Sequence, residues 1–243
     1  MTARRTQQCI AVVAGASGLV GRELLRRLQR TPNYDRVVAL TRRPLGDDSR
    51  LHQVSAQFGA LSSVLAPAVS DDALVDAYCC LGTTIRTAGS EAAFRQVDFD
   101  YVVAFGRWAA GHPARRLIVI SALGAEPTSR VFYNRVKGEA EAALRQLAGP
   151  RLVFLRPSLL DGPRHERRLG ESLALALARP VRMLLPAALR PVRVNDVAQS
   201  MIDVALMSEP PAVLESAAMH GAAERTDSKR PAAPASRTGP AAT

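Results

Sequence analysis

A doubly wound parallel α/β sheet is the fold this sequence predicts, on three observations. Short apolar runs alternate with stretches of helical composition along the chain. The first run leads straight into a glycine-spaced turn, GASGLVG, that opens a helix. The composition supplies an aliphatic core, since 47% of the 243 residues are hydrophobic and only 5% aromatic. That length suits one α/β domain with at most a small appendage.

The elements follow in order. Residues 9–14 (CIAVVA) form a buried strand and residues 22–30 a helix. Residues 36–41 (RVVALT) are the second strand, 52–58 a weaker third, and 74–81 (LVDAYCCL) the fourth. Runs that are apolar on both faces fit strands covered by helices on both sides. Residues 90–111 carry apolar side chains at helical spacing and predict one long helix. Residues 117–121 (LIVIS) are the fifth strand, 132–144 (FYNRVKGEAEAAL) a helix, and 152–155 (LVFL) the sixth strand. Residues 170–185 read as an apolar packing or interface helix broken at Pro180. After residues 192–194 comes NDVAQSMIDVAL, a helix with Asn195 or Asp196 as its cap. Residues 1–217 thus read as one domain, with 158–190 a small substrate or interface segment. Beyond Ala217 the composition turns to Ala, Pro, Arg, Thr and Gly with no core-forming pattern, so 218–243 is expected to be a disordered tail.

Between a buried strand and a helix, Gly15, Gly18 and Gly21 have the context of a dinucleotide-binding turn. Glycines there let backbone N–H groups approach a pyrophosphate, and the helix dipole favours its charge. Ser17, Leu19 and Val20 complete that cofactor loop. About 20 residues on, where an acid would bind the ribose of NAD, stand Arg42 and Arg43; the next acid is Asp47. A guanidinium fork suits the 2′-phosphate of NADP, so NADP(H) is the preferred cofactor and NAD(H) the alternative. Tyr133 and Lys137 stand four apart and share a helix face. A cation there favours ionised tyrosine, which suits an acid–base pair. Lysine occurs only at Lys137 and Lys229, while arginine supplies every other basic side chain. Lys137 therefore marks a place where a compact ammonium is wanted.

The glycine loop, the serine after the fifth strand and the Tyr133, Lys137 pair together resemble the short-chain dehydrogenase/reductase family, with its Rossmann fold. The stretches CCLGTTIRTAGSEAAFRQVDFDY, SALGAEPTSRVFYNRVKGEAEAAL, RPSLLDGPRHERRLGE and PVRVNDVAQSM resemble its atypical subgroup around the Tat-interacting-protein-like oxidoreductases. The resemblance implies that Tyr133 protonates a carbonyl oxygen as hydride arrives. It implies that Lys137 assists Tyr133 and bonds the nicotinamide ribose, and that Ser121 orients the substrate oxygen. It places Leu81, Gly82, Thr83 and Thr84 along the cofactor, and Arg156, Pro157 and Ser158 beside the carboxamide. Two positions depart from the family: Gln57 stands where relatives carry an acid, and Asp98 where an asparagine is common.

The implied function is an NADP(H)-dependent oxidoreductase of a small carbonyl or alcohol substrate; the alternative is a dinucleotide-binding regulatory or assembly protein with little catalysis. Residues 164–167 (RHER) read as a solvated charged loop. The formal charge is +10, but the arginines are scattered, so specific nucleic-acid binding is not expected. Cys9, Cys79 and Cys80 are odd in number and lack metal-ligand spacing, so neither a disulfide framework nor a metal site is expected. The apolar run after MTARR is short and reads as a strand, not a secretory signal. No run reaches the length of a membrane span. A cytoplasmic monomer or homodimer is expected.

Overall fold

The computed structural model describes residues 7–42, 44–45, 51–112, 114–148, 152–162 and 186–228. The strands are β1 (Cys9–Ala14), β2 (Arg36–Thr41), β3 (Leu51–Ser55), β4 (Leu74–Cys79), β5 (Ala114–Ile120), β6 (Leu152–Arg156), β7 (Leu160–Asp161), β8 (Val192–Arg193) and β9 (Val213–Glu215). Seven form a parallel sheet in the order β3-β2-β1-β4-β5-β6-β9, and β7 pairs with β8 apart from it. The chain winds outward from β1 in one direction and, from β4, in the other. This is the Rossmann order, with its switch point between β1 and β4.

Alternation along each strand builds two cores. Ile10, Val12 and Ala14 face one layer with Leu61, Leu65, Phe105, Trp108 and Leu144. Ala11 and Val13 face the other with Leu24, Leu28, Val197 and Met201. The first layer is covered by α2 (Leu61–Leu65), α5 (Tyr101–Ala110) and α6 (Phe132–Ala148). The second is covered by α1 (Leu19–Leu28) and the helix Val194–Leu206. Strands with both faces buried are continuous apolar runs for this reason.

Four expectations are corrected. The third strand ends at Ser55, and Phe58 instead stacks on Tyr101 with ring centroids 4.4 Å apart. The long helix is interrupted: α3 (Ile85–Ala88) precedes it, and Ser90 caps α4 (Glu91–Arg95). A π-helical turn, Gln96–Asp100, then joins α4 to α5. Composition does not reveal such a turn, because it changes hydrogen-bond pairing and not polarity. The helix after β8, α7 (Val194–Leu206), starts one residue early with no side-chain cap, because β8 runs directly into it. Asp196 lies inside its first turn, buried, and accepts the Ala223 N–H at 3.0 Å. The chain also stays folded beyond Ala217, in α8 (Ser216–Met219) and α9 (Ala222–Ser228). Met219, Ala222 and Ala223 are buried there, and the contact of Ala223 with Asp196 holds α9 against α7. The expected helix at 170–185, residues 164–167 and the tail from 229 lie outside the described residues.

Candidate functional site

The register brings the expected residues to one edge of the sheet. Ala14 lies opposite Leu40 and Cys79, Cys79 opposite Val119, and Ile120 opposite Leu155. The loops after β1, β2, β4, β5 and β6 therefore emerge together at the carboxyl ends of the strands. In doubly wound folds this crevice is where ligands bind.

The glycine loop is built by close approach. Gly15 has φ +77°, and a Cβ there would stand 2.5 Å from the Cys80 carbonyl oxygen. A Cβ at Gly21 would stand 2.3 Å from the Gly15 oxygen, so the first turn of α1 presses on the loop. Gly18 is the N-cap of α1 and places no side chain over the helix start. The loop and first turn thus form a bare backbone cradle, which fits a pyrophosphate. Ser17 and Gly18 are exposed at its rim, whereas the Val20 side chain is buried in the α1 core and only its backbone is available. Arg42 follows β2 and is exposed at the same edge; Arg43 lies outside the described residues.

After β4, Leu81 packs on the first core and Gly82 follows in the loop that leads to α3. The Thr84 hydroxyl caps α3, accepting the Thr87 N–H at 3.1 Å. It serves the fold first.

On α6, Tyr133, Lys137 and Glu141 recur every four residues and form one stripe. Tyr133 is half-buried, its ring 5.5 Å from that of Phe94. Lys137 is 5% exposed, and its Nζ lies 2.8 Å from Oδ1 of fully buried Asp98. The other Asp98 oxygen accepts the Thr83 N–H at 2.9 Å. Burial is the largest influence and by itself would lower the lysine pKa, but the Asp98 charge and hydrogen bond, with Tyr133 and Cys79 nearby, together outweigh it and hold the ammonium above its ordinary range.

Ser121 is placed differently from its implied role. Its hydroxyl donates to Oε1 of buried Glu141 at 2.6 Å. Arg156 forks onto the same carboxylate, Nε to Oε1 at 2.9 Å and Nη2 to Oε2 at 2.7 Å. Arg145 adds a bond to Oε2 at 2.9 Å. The structure therefore brings Ser121 and Arg156 together on Glu141, two helical turns below Tyr133. Pro157 accepts the Leu123 N–H through its carbonyl. Ser158 ties the chain to Ser216 and, through its hydroxyl, to the Arg190 carbonyl at 2.5 Å.

Two residues here have roles that sequence reasoning missed. Glu141 was legible as the next member of the Tyr133, Lys137 stripe. Asp98 stood out only as a departure; its partner depends on how the π turn aims it, which no local pattern reports.

No family model matches the chain. Rat HTATIP2 is 34% identical over 166 residues, 67% of this chain and 67% of its own length. The protein named FMP52, mitochondrial, from Eremothecium gossypii is 33% identical over 204 residues, 82% of this chain and 89% of its own length. FMP52, mitochondrial, from Candida albicans is 29% identical over 200 residues. Among solved structures, MoeE5 in complex with UDP-glucuronic acid and NAD superposes with a TM-score of 0.64 at 18% identity, covering 84% of this chain and 74% of its own. WbmF of Bordetella bronchiseptica in complex with NAD+ superposes with a TM-score of 0.60 at 14% identity, covering 93% of this chain and 80% of its own. At such identities the likeness is one of fold. The relatives also correct the expected cytoplasmic location: FMP52 proteins of several fungi are named mitochondrial. With this likeness to HTATIP2 and FMP52 over most of its length, and the Rossmann sheet that carries the shared motifs, the chain belongs to the atypical short-chain dehydrogenase/reductase family, in the group of those two proteins.

Proposed function

We propose that the protein is an NADP(H)-dependent oxidoreductase that interconverts a small carbonyl compound and its alcohol. The observation that carries this reading is Lys137: a buried ammonium, one turn from Tyr133 and beside Gly82 in the loop after β4, at the edge where the glycine cradle opens. Solved neighbours in complex with NAD agree with a dinucleotide in that cradle. The backbone of residues 15–21 would hold the pyrophosphate, and Arg42 with Arg43 the 2′-phosphate. The bound nicotinamide supplies or accepts hydride. Tyr133 gives a proton to the carbonyl oxygen in reduction and takes it from the alcohol in oxidation. Lys137 holds positive charge beside the phenol, where it favours the phenolate that results.

Turnover of a carbonyl panel with NADPH tests this reading. Tyr133→Phe should keep dinucleotide binding and lose about 10²–10⁴-fold in turnover. Wild-type turnover in that variant would remove Tyr133 from the chemistry. For the cofactor, Arg42→Glu should weaken NADPH binding far more than NADH binding. Equal affinity of the native protein for both at physiological salt would overturn the NADP assignment.

A second reading, a dinucleotide-binding regulator with little catalysis, is favoured by one observation. The Ser121 hydroxyl gives its only proton to Glu141, so it has none to offer a substrate carbonyl. Saturable NADPH binding without turnover of any carbonyl would decide for it.

A further inference from the structure

Among the described residues seven large apolar side chains are exposed, and four of them stand at the edge that carries Tyr133: Ile85, Val131, Leu159 and Leu189. The other three, Leu147, Leu206 and Met207, lie at or just past the far ends of α6 and α7. Ile85 opens α3 after the loop from β4, and Val131 stands two residues before Tyr133. Leu159 follows β6 and is 68% exposed, and Leu189 ends the 3₁₀ turn Ala187–Leu189. The last two are held together: the Ser158 hydroxyl donates to the Arg190 carbonyl, and the Val192 N–H donates to the Leu159 carbonyl at 2.8 Å. The Leu123 N–H donates to the Pro157 carbonyl at 2.9 Å and joins the loop after β5 to this segment. A Cβ on Gly162 would stand 3.2 Å from the Leu19 side chain, so the end of β7 lies against the start of α1 at the glycine loop. Single exposed apolar residues are ordinary, but four on the loops around one proton donor mark a binding surface.

The hydroxyls at this edge are already spent. Ser121 donates to Glu141, Thr84 to Thr87 and Ser158 to the Arg190 carbonyl. A hydroxyl that has given its proton inside the protein has none for a substrate. Arg86, Glu126 and Arg130 are exposed at the same edge, where water keeps their charges. We propose that the substrate is a lipophilic carbonyl compound, its hydrocarbon part lying on Ile85, Val131, Leu159 and Leu189 while Tyr133 meets its oxygen. This rests on the reading of Tyr133 as the proton donor. The carbonyl carbon receives hydride from NADPH and the oxygen receives the Tyr133 proton, which leaves the alcohol and NADP+. Small-molecule sites are mostly apolar, with a few polar groups that fix orientation. Tyr133 is that polar group here, and each CH2 of the substrate removed from water adds a similar factor to binding.

Two series of compounds test this on the full chain. Unbranched alkanals of rising length give kcat/KM with NADPH, and the matching alkanamides, which accept no hydride, give affinity by calorimetry. Both should rise by about two- to fourfold per CH2. Leu159→Ser and Leu189→Ser should flatten both series, and at these exposed positions the melting temperature should hold level. Leu206→Ser, at the far end of α7, should leave both slopes unchanged. A flat amide series in the wild type would overturn the proposal, and so would wild-type slopes in both of the first two variants. Slopes retained while those variants lose a dimer would overturn it and assign the surface to a second copy of the chain. An alkanal ending in a carboxylate that outcompetes its plain counterpart of equal length would overturn the apolar assignment. Turnover of no alkanal, with the amide slope present, would refute the proposed function and leave the lipophilic site standing.

Discussion

At the scale of single residues, two kinds of constraint act. The first is space. A Cβ at Gly138 would stand 2.2 Å from the Glu126 carbonyl carbon and 2.3 Å from the Pro127 nitrogen. These are backbone atoms that cannot swing aside, so Gly138→Ala should lower stability by about 1–3 kcal/mol or more. At Gly59 nothing lies within 4 Å, and Gly59→Ala should be close to neutral. Urea unfolding of the two variants checks the contrast. The second constraint is polar satisfaction. Ser121→Ala removes one donor from buried Glu141 but leaves the Arg156 fork and Arg145 in place. It should lower stability by about 1 kcal/mol while leaving dinucleotide binding intact. A large loss of turnover with stability and cofactor affinity unchanged would return Ser121 to the role of orienting the substrate oxygen.

At the scale of elements, α6 carries the site and the core on different faces. Its Tyr133, Lys137, Glu141 stripe meets Phe94, Asp98 and Ser121 in turn, while Ala140 and Leu144 pack into the first core. The packing that anchors this helix thereby places the stripe. The C-terminal helices matter in the same way. Deleting residues after Ala217 removes buried Met219, Ala222 and Ala223 and strips Asp196 of the Ala223 N–H. A buried methionine contributes about 1.5–3 kcal/mol, and an unmet buried carboxylate adds to the loss. The melting temperature should fall by about 5 °C or more, at roughly 2–4 °C per kcal/mol for a chain of this size. An unchanged melting temperature would show that α8 and α9 do not support the fold.

At the scale of the whole molecule, several buried groups respond to pH with one sign. Burial pushes Cys79 up to about 11, and it raises Tyr78 and Tyr34 above their ordinary values, helped by the nearby Asp76 charge. Tyr34 donates to Asp76 at 2.7 Å and lies 2.7 Å from the Tyr78 hydroxyl, and Arg115 closes the network on Asp76. Lys137 is raised as well, where Asp98 together with Tyr133 and Cys79 outweighs the effect of burial. Each of these groups keeps its proton in the folded state at a pH where the unfolded chain has released it. Their contribution is full below the unfolded values and is lost as the pH rises through the folded ones. The melting temperature should hold level from about pH 7 to 8.5 and fall steadily above about 9. A flat profile to pH 11 would contradict the burial of these groups.

What the sequence determined by itself is what depends on local composition and spacing. The limits of β1 and β2, the parallel layered order, the glycine loop and the four-residue step from Tyr133 to Lys137 were legible because strand period, turn chemistry and helix pitch act over a few residues. What only the tertiary structure decided is which groups meet across distance. Ser121 looked like a substrate ligand, yet its strand register with β6 and the pitch of α6 deliver it to Glu141. Asp98 looked like a departure from a pattern, yet the π turn sets it on Lys137 and Thr83. The C-terminal residues looked structureless because their apolar content is small, but a few alanines and one methionine suffice when α7 and Asp196 stand ready to receive them. A buried charge or an orphan N–H takes its partner from whatever the packing brings near, and packing is a property of the whole chain.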